Sequence, residues 1–445
     1  MRVGKLISAL LVALVTLFSC TLDDNFRSGV SGEGTGSRRT DDRLPTPEVR
    51  HVMVMVAAGF NSLSSYIKDD MNELAQGYLP EGTSRSQDVL LVLSRFPQNF
   101  GGYSTPTPVT LYRLYAGPDG AAVRDTLYQW DPSVHLCDAS TIREALELIA
   151  DRFPAKGYGV VFSSHASGWL PSGYYNDPAA YESAHGGEEI PDEGIFSARS
   201  LRARQEVFPP ISAYPAVKSI GQDRDGTHSI EMELGQLAGA IPMHLEYLLF
   251  DACLNGCVEV AYAFKDVADV VGFSPTEVLA NGFDYLKLAR HLLRPELDPV
   301  AVCKDYFAFY DAQTGSNRSA TITVVAPARM DALAAVCRQL FDKYREQIQV
   351  LPGAKVQGYF RFNRHYFYDL RDVLVQAGIT EEETAQLDQA LSECILYKAS
   401  TPQFIGMSML RVSGLSMYLP SMGTPLLDNF YKEQIAWNQV TELVQ

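Results

Sequence analysis

The chain has 445 residues, of which 46% are hydrophobic and 20% are charged, and its formal net charge is −16. This composition is that of a globular protein, and the length suits one large domain or two domains of ordinary size. The excess of negative charge excludes the basic stripe that a phosphate backbone requires, so no nucleic-acid partner is expected.

The N-terminus has the pattern of an export signal. Arg2 and Lys5 precede the apolar residues 6–18, a run too short for an ordinary membrane-spanning helix. Residues 17–20 resemble the lipobox of bacterial lipoproteins, which predicts that residues 1–20 contain a lipoprotein signal peptide and that Cys20 becomes the lipidated first residue. The alternative is a plain secretory signal with an incidental cysteine.

The segment after Cys20 is interpreted as a tether. Asp23 and Asp24 resemble the acidic tag that directs some lipoproteins to the outer face of the outer membrane, so an outer-membrane location exposed at the cell surface is expected. Residues 21–48 are rich in Gly, Ser, Thr, Asp and Arg. Because they lack the apolar content needed to fold, they are predicted to be flexible.

From residue 49 onward, short apolar segments alternate with helical patterns. The predicted buried strands are residues 52–57, 89–93, 158–163, 247–250, 267–273 and 320–325. The predicted helices are residues 62–75, 140–152, 231–241, 258–265, 283–293 and 329–347. This order predicts an α/β fold with a mostly parallel sheet and helices on both faces. Residues 109–115 are expected to form an antiparallel hairpin or an edge strand.

Two regions depart from this alternation. Residues 171–225 form an insertion in the main domain, 49–350, and are rich in Gly, Pro, Tyr and charge. A stretch of that length without secondary structure is usually a functional loop. Residues 351–445 are predicted to form a C-terminal α+β subdomain packed on the sheet, with a helix at 381–394 and an extended apolar run at 414–420.

The cysteines beyond Cys20 are too dispersed for a disulfide framework. They are Cys137, Cys253, Cys257, Cys303, Cys337 and Cys394. Cys253 and Cys257 could chelate a metal, but no second Cys or His pair has the spacing of a zinc site, so no metal site is predicted. Cys257 is interpreted as a packed core thiol.

A histidine and a cysteine each follow a predicted buried strand. His165 comes shortly after residues 158–163, and Cys253 comes shortly after residues 247–250. If the two strands are parallel neighbours, the imidazole and the thiol meet at the carboxyl edge of the sheet, where open α/β folds bind ligands. Such a pair is sufficient for a thiol nucleophile with an acid/base partner.

Short blocks around these residues resemble the clostripain family of cysteine peptidases. His-Ala-Ser-Gly-Trp at 165–169 is similar to the family's His-Gly-x-Gly-Trp, and Asp-Ala-Cys at 251–253 matches another of its blocks. Further similarities, in the family's order, are the Glu-x-Ala-Tyr at 259–262, the stretch 272–277 with its Ser-x-x-Glu, the Gly-x-x-Tyr at 282–285 and the late run 414–420. The resemblance spans roughly residues 49–420.

The resemblance implies a caspase-like fold, shared with legumains and gingipains, and cleavage after Arg or Lys by a His165–Cys253 dyad. Cys253 would be the nucleophile, with its thiolate favoured by the positive end of the following helix. His165 would be the acid toward the leaving amine. The backbone N–H groups of Ala166 and Cys253 are expected to hold the oxyanion. No third residue that would extend the dyad to a catalytic triad is evident.

The substrate is expected to be a protein or peptide that presents Arg or Lys. Asp251 is the candidate floor of a pocket for that cation, although it could instead cap the helix opening near Leu254. Ser274 and Glu277 are further candidate substrate-binding residues. Trp169 is expected to pack against the strand end. No cofactor is required, and nothing in the sequence indicates calcium.

Two other hypotheses remain open, the first because of departures from the family pattern. Ala166 stands where the family usually has glycine, and Asn255 and Gly256 replace its commoner Met-Ala or Met-Gly. An inactive lipoprotein of the same fold that binds peptides or a partner is therefore one alternative. A hydrolase or transferase of another kind that uses the same Cys–His pair is the other.

The insertion also contains candidate self-cleavage sites. Its basic residues are Arg199, Arg202, Arg204, Lys218 and Arg224. They match the specificity that the resemblance implies, and they lie in a segment with few apolar residues, which favours proteolysis. The alternative is an exposed connection whose basic side chains are only solvated.

Overall fold

A computed structural model describes residues 27–28, 50–83, 86–100, 103–105, 107–175, 177–187, 217–218, 223–225, 228–293, 295–360 and 365–445. Its centre is a ten-stranded sheet. In spatial order the strands are Arg27–Ser28, Ala122–Gln129, Thr110–Ala116, Asp88–Arg95, His51–Ala58, Gly157–Ser163, Leu245–Asp251, Ala268–Phe273, Thr321–Val325 and Ile395–Ser400.

The middle of the sheet is parallel and its flanks are largely antiparallel. The strands from Asp88–Arg95 to Ala268–Phe273 run in one direction. Thr110–Ala116 pairs antiparallel on one side of them, and Thr321–Val325 does so on the other. The α/β prediction and all six predicted strands are confirmed, and so is the predicted antiparallel hairpin.

The central strands are buried on both faces. Every residue of Asp88–Arg95 is buried, and so is all of His51–Ala58 except its first residue. Because successive side chains of a strand point to opposite faces, helices must cover both sides of the sheet. The helices of the described residues are Ser64–Gln76, Ala139–Arg152, Pro178–Ala184, Leu234–Ala240, Val258–Ala263, Tyr285–Leu292, Pro299–Asp311, Met330–Lys343, Arg345–Gln349, Leu370–Ala377, Glu381–Cys394, Pro425–Gln434 and Ala436–Thr441.

Small two-stranded ribbons and 3₁₀ turns complete the described structure. The ribbons pair Gln98–Phe100 with Tyr103–Thr105, Val217–Lys218 with Val278–Leu279, Asp223–Asp225 with His228–Ile230, Tyr368–Asp369 with Ser416–Met417, and Gln403–Phe404 with Met407–Ser408. The 3₁₀ turns are Gly315–Asn317, Pro327–Arg329, Gly353–Lys355 and Pro420–Met422. Within the described ranges, no helix has the length and apolar content to cross a membrane.

The interpretation of residues 171–225 as a stretch without secondary structure is wrong for its first part. Helix Pro178–Ala184 begins there, because the Asp177 side chain caps it and proline occupies its first position. Within this helix, Glu182 is fully buried and accepts hydrogen bonds from the hydroxyls of Tyr174 and Thr424. The start of the insertion is therefore fixed to the C-terminal region.

The C-terminal region shares the core of the main domain. Ile395–Ser400 adds the last strand to the central sheet. The buried carboxylate of Glu259 accepts hydrogen bonds from the backbone N–H of Tyr418 at 2.9 Å and from the Tyr431 hydroxyl at 2.7 Å. Residues after 351 therefore complete the sheet and also brace the helix that follows Cys253.

Candidate active site

The strands that precede His165 and Cys253 are parallel neighbours. Their register pairs Ser163 with Asp251, the last residue of each strand. His165 lies two residues beyond Ser163, and Cys253 lies two residues beyond Asp251. Both therefore leave the sheet at the same level of its carboxyl edge. The predicted adjacency of these strands is confirmed.

Cys253 is held in a buried turn. Its side chain has no solvent exposure, and the backbone N–H of Val278 donates to its Sγ at 3.1 Å. The next residue, Leu254, has a φ of 61°, which is unusual for a branched side chain. Its N–H donates to the Thr276 carbonyl at 2.9 Å. These two hydrogen bonds join the turn at Cys253 to residues 276–278.

The expectation that a helix opens near Leu254, where Asp251 could cap it, is wrong. The following helix begins only at Val258, with Cys257 as its N-cap. The left-handed Leu254 and a turn closed by the Cys257 N–H on the Asn255 carbonyl separate Cys253 from it. The predicted start of this helix at residue 258 is confirmed. Asp251 does not cap that helix.

Cys257 is a core thiol, as predicted. Burial, followed by the nearby Glu259 carboxylate, raises the pKa of Cys257 well above its ordinary value. A thiol in such an environment stays protonated and unreactive at neutral pH. Within the described part of the chain, no group of three or more His, Cys, Asp or Glu side chains could hold a metal ion.

His165 is 5% exposed, and its ring contacts a residue that the sequence analysis did not name. The Oγ of Ser62 lies 3.3 Å from His165 Nε2. Ser62 follows strand His51–Ala58, whose Ala57 is the register partner of Ser163. The signal that could have identified Ser62 is the order of the strands in the sheet. Polar residues that follow the strand next to the one before His165 reach the same edge of the sheet.

The histidine side of the site opens onto a small cavity. His165, Ala166, Asn255 and Met232 are among its lining residues, and its volume is about 80 Å³. Space of that size holds a few water molecules. Neither Cys253 nor Asp251 lines it. In this state the imidazole borders the cavity and the thiol is covered.

Asp251 is the last residue of the strand that leads to Cys253, and its register partner is Ser163. It has no solvent exposure, and its Oδ2 accepts hydrogen bonds from the Tyr285 hydroxyl at 2.7 Å and from the Ser163 hydroxyl at 3.4 Å. Burial and the Asp251 charge raise the pKa of Tyr285 well above its ordinary value, so this phenol remains a donor. The carboxylate is thus fixed beside the candidate nucleophile by neutral hydroxyl donors.

The other candidate substrate-binding residues lie in the segment that covers Cys253. Ser274 is fully buried, and its hydroxyl lies 2.9 Å from that of Thr321 and 3.3 Å from that of Thr276. Glu277 is 1% exposed and directly precedes Val278. Both residues therefore belong to the wall of the site in this closed state.

Two residues of the insertion form a strand on that same wall. Lys218 is the antiparallel register partner of Val278, and Val217 is the partner of Leu279. Arg224 lies in the separate hairpin Asp223–Asp225/His228–Ile230. The remaining self-cleavage candidates, Arg199, Arg202 and Arg204, lie outside the described residues, as does Cys20.

Trp169 packs behind the histidine loop, as expected. It has no solvent exposure, and its ring centroid lies 4.7 Å from that of Tyr418 and 5.0 Å from that of Tyr431. The aromatic contacts connect the loop that carries His165 to the C-terminal region. Trp169 therefore has a structural role at the strand end.

Solved structures of known proteases match this fold. An inactive zymogen C11 protease from Parabacteroides distasonis is 27% identical, with a TM-score of 0.68 over 89% of this chain and 99% of that chain. A secreted C11 cysteine protease from Bacteroides thetaiotaomicron in complex with an irreversible peptide inhibitor is 21% identical, with a TM-score of 0.67 over 88% of this chain and 99% of that chain. The comparison with curated proteins found no match.

The family comparison agrees with the site. The clostripain family matches residues 210–436, which is more than half of the chain. The matched region contains Cys253 but not His165. The strand that precedes His165 is paired with the strand that precedes Cys253. The match does not favour an inactive binding protein or a hydrolase of another kind. The chain belongs to the clostripain family and is a cysteine protease.

Proposed function

We propose that the protein is an endopeptidase that cleaves after Arg or Lys with Cys253 as nucleophile and His165 as acid/base partner. The observation that carries this proposal is the Ser163–Asp251 register, which brings His165 and Cys253 to one level of one edge. The thiolate would attack the carbonyl carbon of the scissile bond. His165 would then protonate the leaving amine as the C–N bond breaks, and water would hydrolyse the thioester with His165 as base.

The Asp251 carboxylate supports the preference for a cation. It is fully buried, and two of its hydrogen-bond partners, the Tyr285 and Ser163 hydroxyls, are neutral donors. A buried carboxylate gains more from a substrate ammonium or guanidinium than from another hydroxyl. Asp251 precedes Cys253 by two residues, at the end of the strand that leads to the candidate nucleophile.

Selective labelling tests the nucleophile. The probe is a short peptide that ends in Lys with an electrophilic ketone at the scissile position, and an otherwise identical probe ends in Leu. We expect the Lys probe to add once to the wild type, at Cys253 in the peptide map. The Cys253→Ala and His165→Ala variants should remain unlabelled. Labelling at another cysteine, or equal labelling by both probes, would contradict the proposed site or its specificity.

We also propose that the chain cuts itself after Lys218. Peptide substrates often bind proteases as an added antiparallel strand, and Val217–Lys218 already forms such a strand against Val278–Leu279. The backbone N–H of Val278 donates to Cys253 Sγ, so the pairing places Lys218 opposite the residue that contacts the nucleophile. This geometry favours Lys218 over Arg224 among the candidates that the structure describes.

Intact-mass measurements test self-cleavage. The purified wild type, Cys253→Ala, Lys218→Gln and, as a matched control, Arg224→Gln are incubated under the same conditions. We expect two fragments divided after Lys218 in the wild type and in Arg224→Gln, and a single chain in the other two. A single chain from an active wild type would exclude cleavage of this loop, and cleavage of Lys218→Gln at wild-type rate would move the site to another residue.

We further propose that Cys20 attaches the protein to the outer membrane. The lipobox-like residues 17–20 and the acidic pair Asp23 and Asp24 support this proposal. Metabolic incorporation of a fatty-acid analogue should label the wild type and not Cys20→Ser. Protease accessibility on intact cells then tests surface exposure, with an inward-facing outer-membrane lipoprotein as the control.

A further inference from the structure

The loop after strand His51–Ala58 brings a hydroxyl to His165. Ala57 pairs with Ser163, so this strand ends level with the one that leads to His165. Ser62 Oγ lies 3.3 Å from His165 Nε2, and Ser62 is exposed whereas His165 is buried. The contact joins two loop residues that are 103 positions apart in sequence.

The backbone fixes the position of Ser62. The Asn61 side chain donates to the Ala58 carbonyl at 2.8 Å and accepts from the Leu63 N–H at 2.9 Å. The N–H of Gly59 donates to the Arg95 carbonyl at 3.0 Å, which fastens the loop to the next strand. Because these bonds hold the residues on both sides of Ser62, its hydroxyl is presented to the imidazole before any substrate binds.

The side chain of a buried arginine packs against the same loop. The Arg95 guanidinium lies 4.5 Å from the centroid of the Phe60 ring, and its Nε donates to the Thr107 carbonyl at 3.0 Å. Arg95 is 1% exposed, so this support is part of the core. The loop is therefore anchored to the core through a buried side chain.

We infer that Ser62 is the positioning residue of His165, an inference that rests on the proposed function. In the imidazolium, Nε2–H would donate to the Ser62 hydroxyl, which leaves Nδ1–H as the proton that can pass to the reacting groups. During acylation the Nδ1–H bond breaks and its proton moves to the leaving nitrogen as the C–N bond breaks. The neutral ring keeps Nε2–H on Ser62, so Nδ1 has the lone pair that accepts a proton from water during thioester hydrolysis. Ser62 thereby holds the ring through Nε2 while Nδ1 exchanges the proton in both steps.

The test compares Ser62→Ala with Ser62→Thr, which keeps a hydroxyl, and with Ser65→Ala, an exposed serine three residues further on. Turnover of a fluorogenic Lys peptide gives kcat and KM. The rate of Cys253 alkylation by iodoacetamide is measured across pH as a second readout that needs no substrate binding. Circular dichroism verifies that each variant is folded.

We expect Ser62→Ala to lower kcat by about tenfold while KM changes by less than about twofold. The alkaline limb of its alkylation profile should move to lower pH, because the imidazolium loses an acceptor for Nε2–H. Ser62→Thr should recover most of kcat, and Ser65→Ala should match the wild type.

Three outcomes would overturn the inference. A Ser62→Ala protein with wild-type kcat and pH profile would show that the hydroxyl does not position the ring, while the proposed peptidase activity would stand. A raised KM with unchanged kcat would make Ser62 a substrate contact instead. A folded wild type that neither turns over the peptide nor alkylates selectively at Cys253 would remove the proposed function and this inference together.

Discussion

Gly168 packs directly on the backbone of Leu254. A β-carbon at Gly168 would lie 2.6 Å from the Leu254 carbonyl oxygen, closer than real β-carbons approach an oxygen, and the φ of Gly168 is 61°. The loop that carries His165 and the turn that carries Cys253 are thus in contact, and no side chain fits between them. The position requires glycine for its backbone conformation and for this close approach.

We therefore expect Gly168→Ala to separate the two loops and to reduce Cys253 labelling by the Lys probe at least about tenfold, with a loss of about 1–3 kcal/mol of stability. Gly173→Ala is the matched control, because Gly173 also has a positive φ, of 81°, while its nearest contact would be 3.9 Å away. Thermal unfolding and labelling rates measure both effects. Equal labelling by the two variants would show that the Gly168–Leu254 contact has no influence on the site.

Asp251→Asn should abolish the preference for basic substrates. If Asp251 pairs with the substrate cation, its removal leaves that cation buried without a partner, at a cost of about 3–5 kcal/mol, or more than about a hundredfold in kcat/KM. The Tyr285 hydroxyl can still donate to the asparagine oxygen, so the fold should persist. Tyr285→Phe keeps the charge and should keep the preference. Unchanged cleavage after Arg and Lys by folded Asp251→Asn would move the assignment to Glu277 or Asp284.

Glu259→Gln should stabilise the protein at neutral pH. Burial raises the pKa of Glu259, although bonds from Tyr431 and Tyr418 oppose the shift. A carboxyl whose folded pKa is raised stabilises the fold fully below its unfolded pKa and loses that contribution as pH rises through the folded pKa. The amide keeps an acceptor for both bonds without the charge. The gain should be about 1.4 kcal/mol per unit of pKa shift.

Urea unfolding at pH 4 and pH 7.5 measures the gain from Glu259→Gln. The advantage should be present at pH 7.5 and shrink toward pH 4, where Glu259 is protonated in both states. Glu144→Gln, at an exposed position on helix Ala139–Arg152, is the control for general effects of removing a charge. A variant that is less stable than the wild type at both values would mean that the carboxylate is preferred over the neutral amide at this site.

The remaining cysteines should be silent in the native protein. Burial raises the pKa of Cys257 well above its ordinary value, and it raises the pKa of Cys394 to about 12. None of the described cysteines forms a disulfide, and all are buried. Iodoacetamide at pH 7.5 should therefore leave Cys257 and Cys394 unmodified in the folded protein and modify them only after denaturation. Prior labelling of Cys257 in the folded protein would contradict the buried turn at the start of its helix.

The strands of this fold were predictable because they are apolar throughout. Asp88–Arg95 is buried at every position, and such a run can only be a strand or helix of the core. The missed elements have weaker patterns. Ile395–Ser400 directly continues helix Glu381–Cys394, so no turn signal separates them, and it becomes a strand because it pairs with Thr321–Val325. Tertiary pairing decided its structure.

The candidate site was predictable in part. The apolar runs before His165 and Cys253 indicated their place at the sheet edge, and the register bears that out. The alternative of a helix that opens near Leu254 overlooked Asn255-Gly256, a pair typical of turns, whereas the helix predicted from residue 258 begins there. Ser62 could not be found without the order of strands in the sheet, since nothing near it in sequence points to His165. Its role depends on which loops the fold makes neighbours.

The strand register also bears on how the proposed cleavage changes the lifetime of the molecule. A cut after Lys218 assigns the strand before His165 to one polypeptide and the strand before Cys253 to another, yet the two remain adjacent in the middle of one sheet. Folding of the uncut chain is a unimolecular process. Refolding of the cut protein would instead require two polypeptides to meet, so its rate would depend on their concentration. The processed enzyme would then persist for as long as it avoids unfolding, and its working life would be set by an unfolding rate and not by an equilibrium.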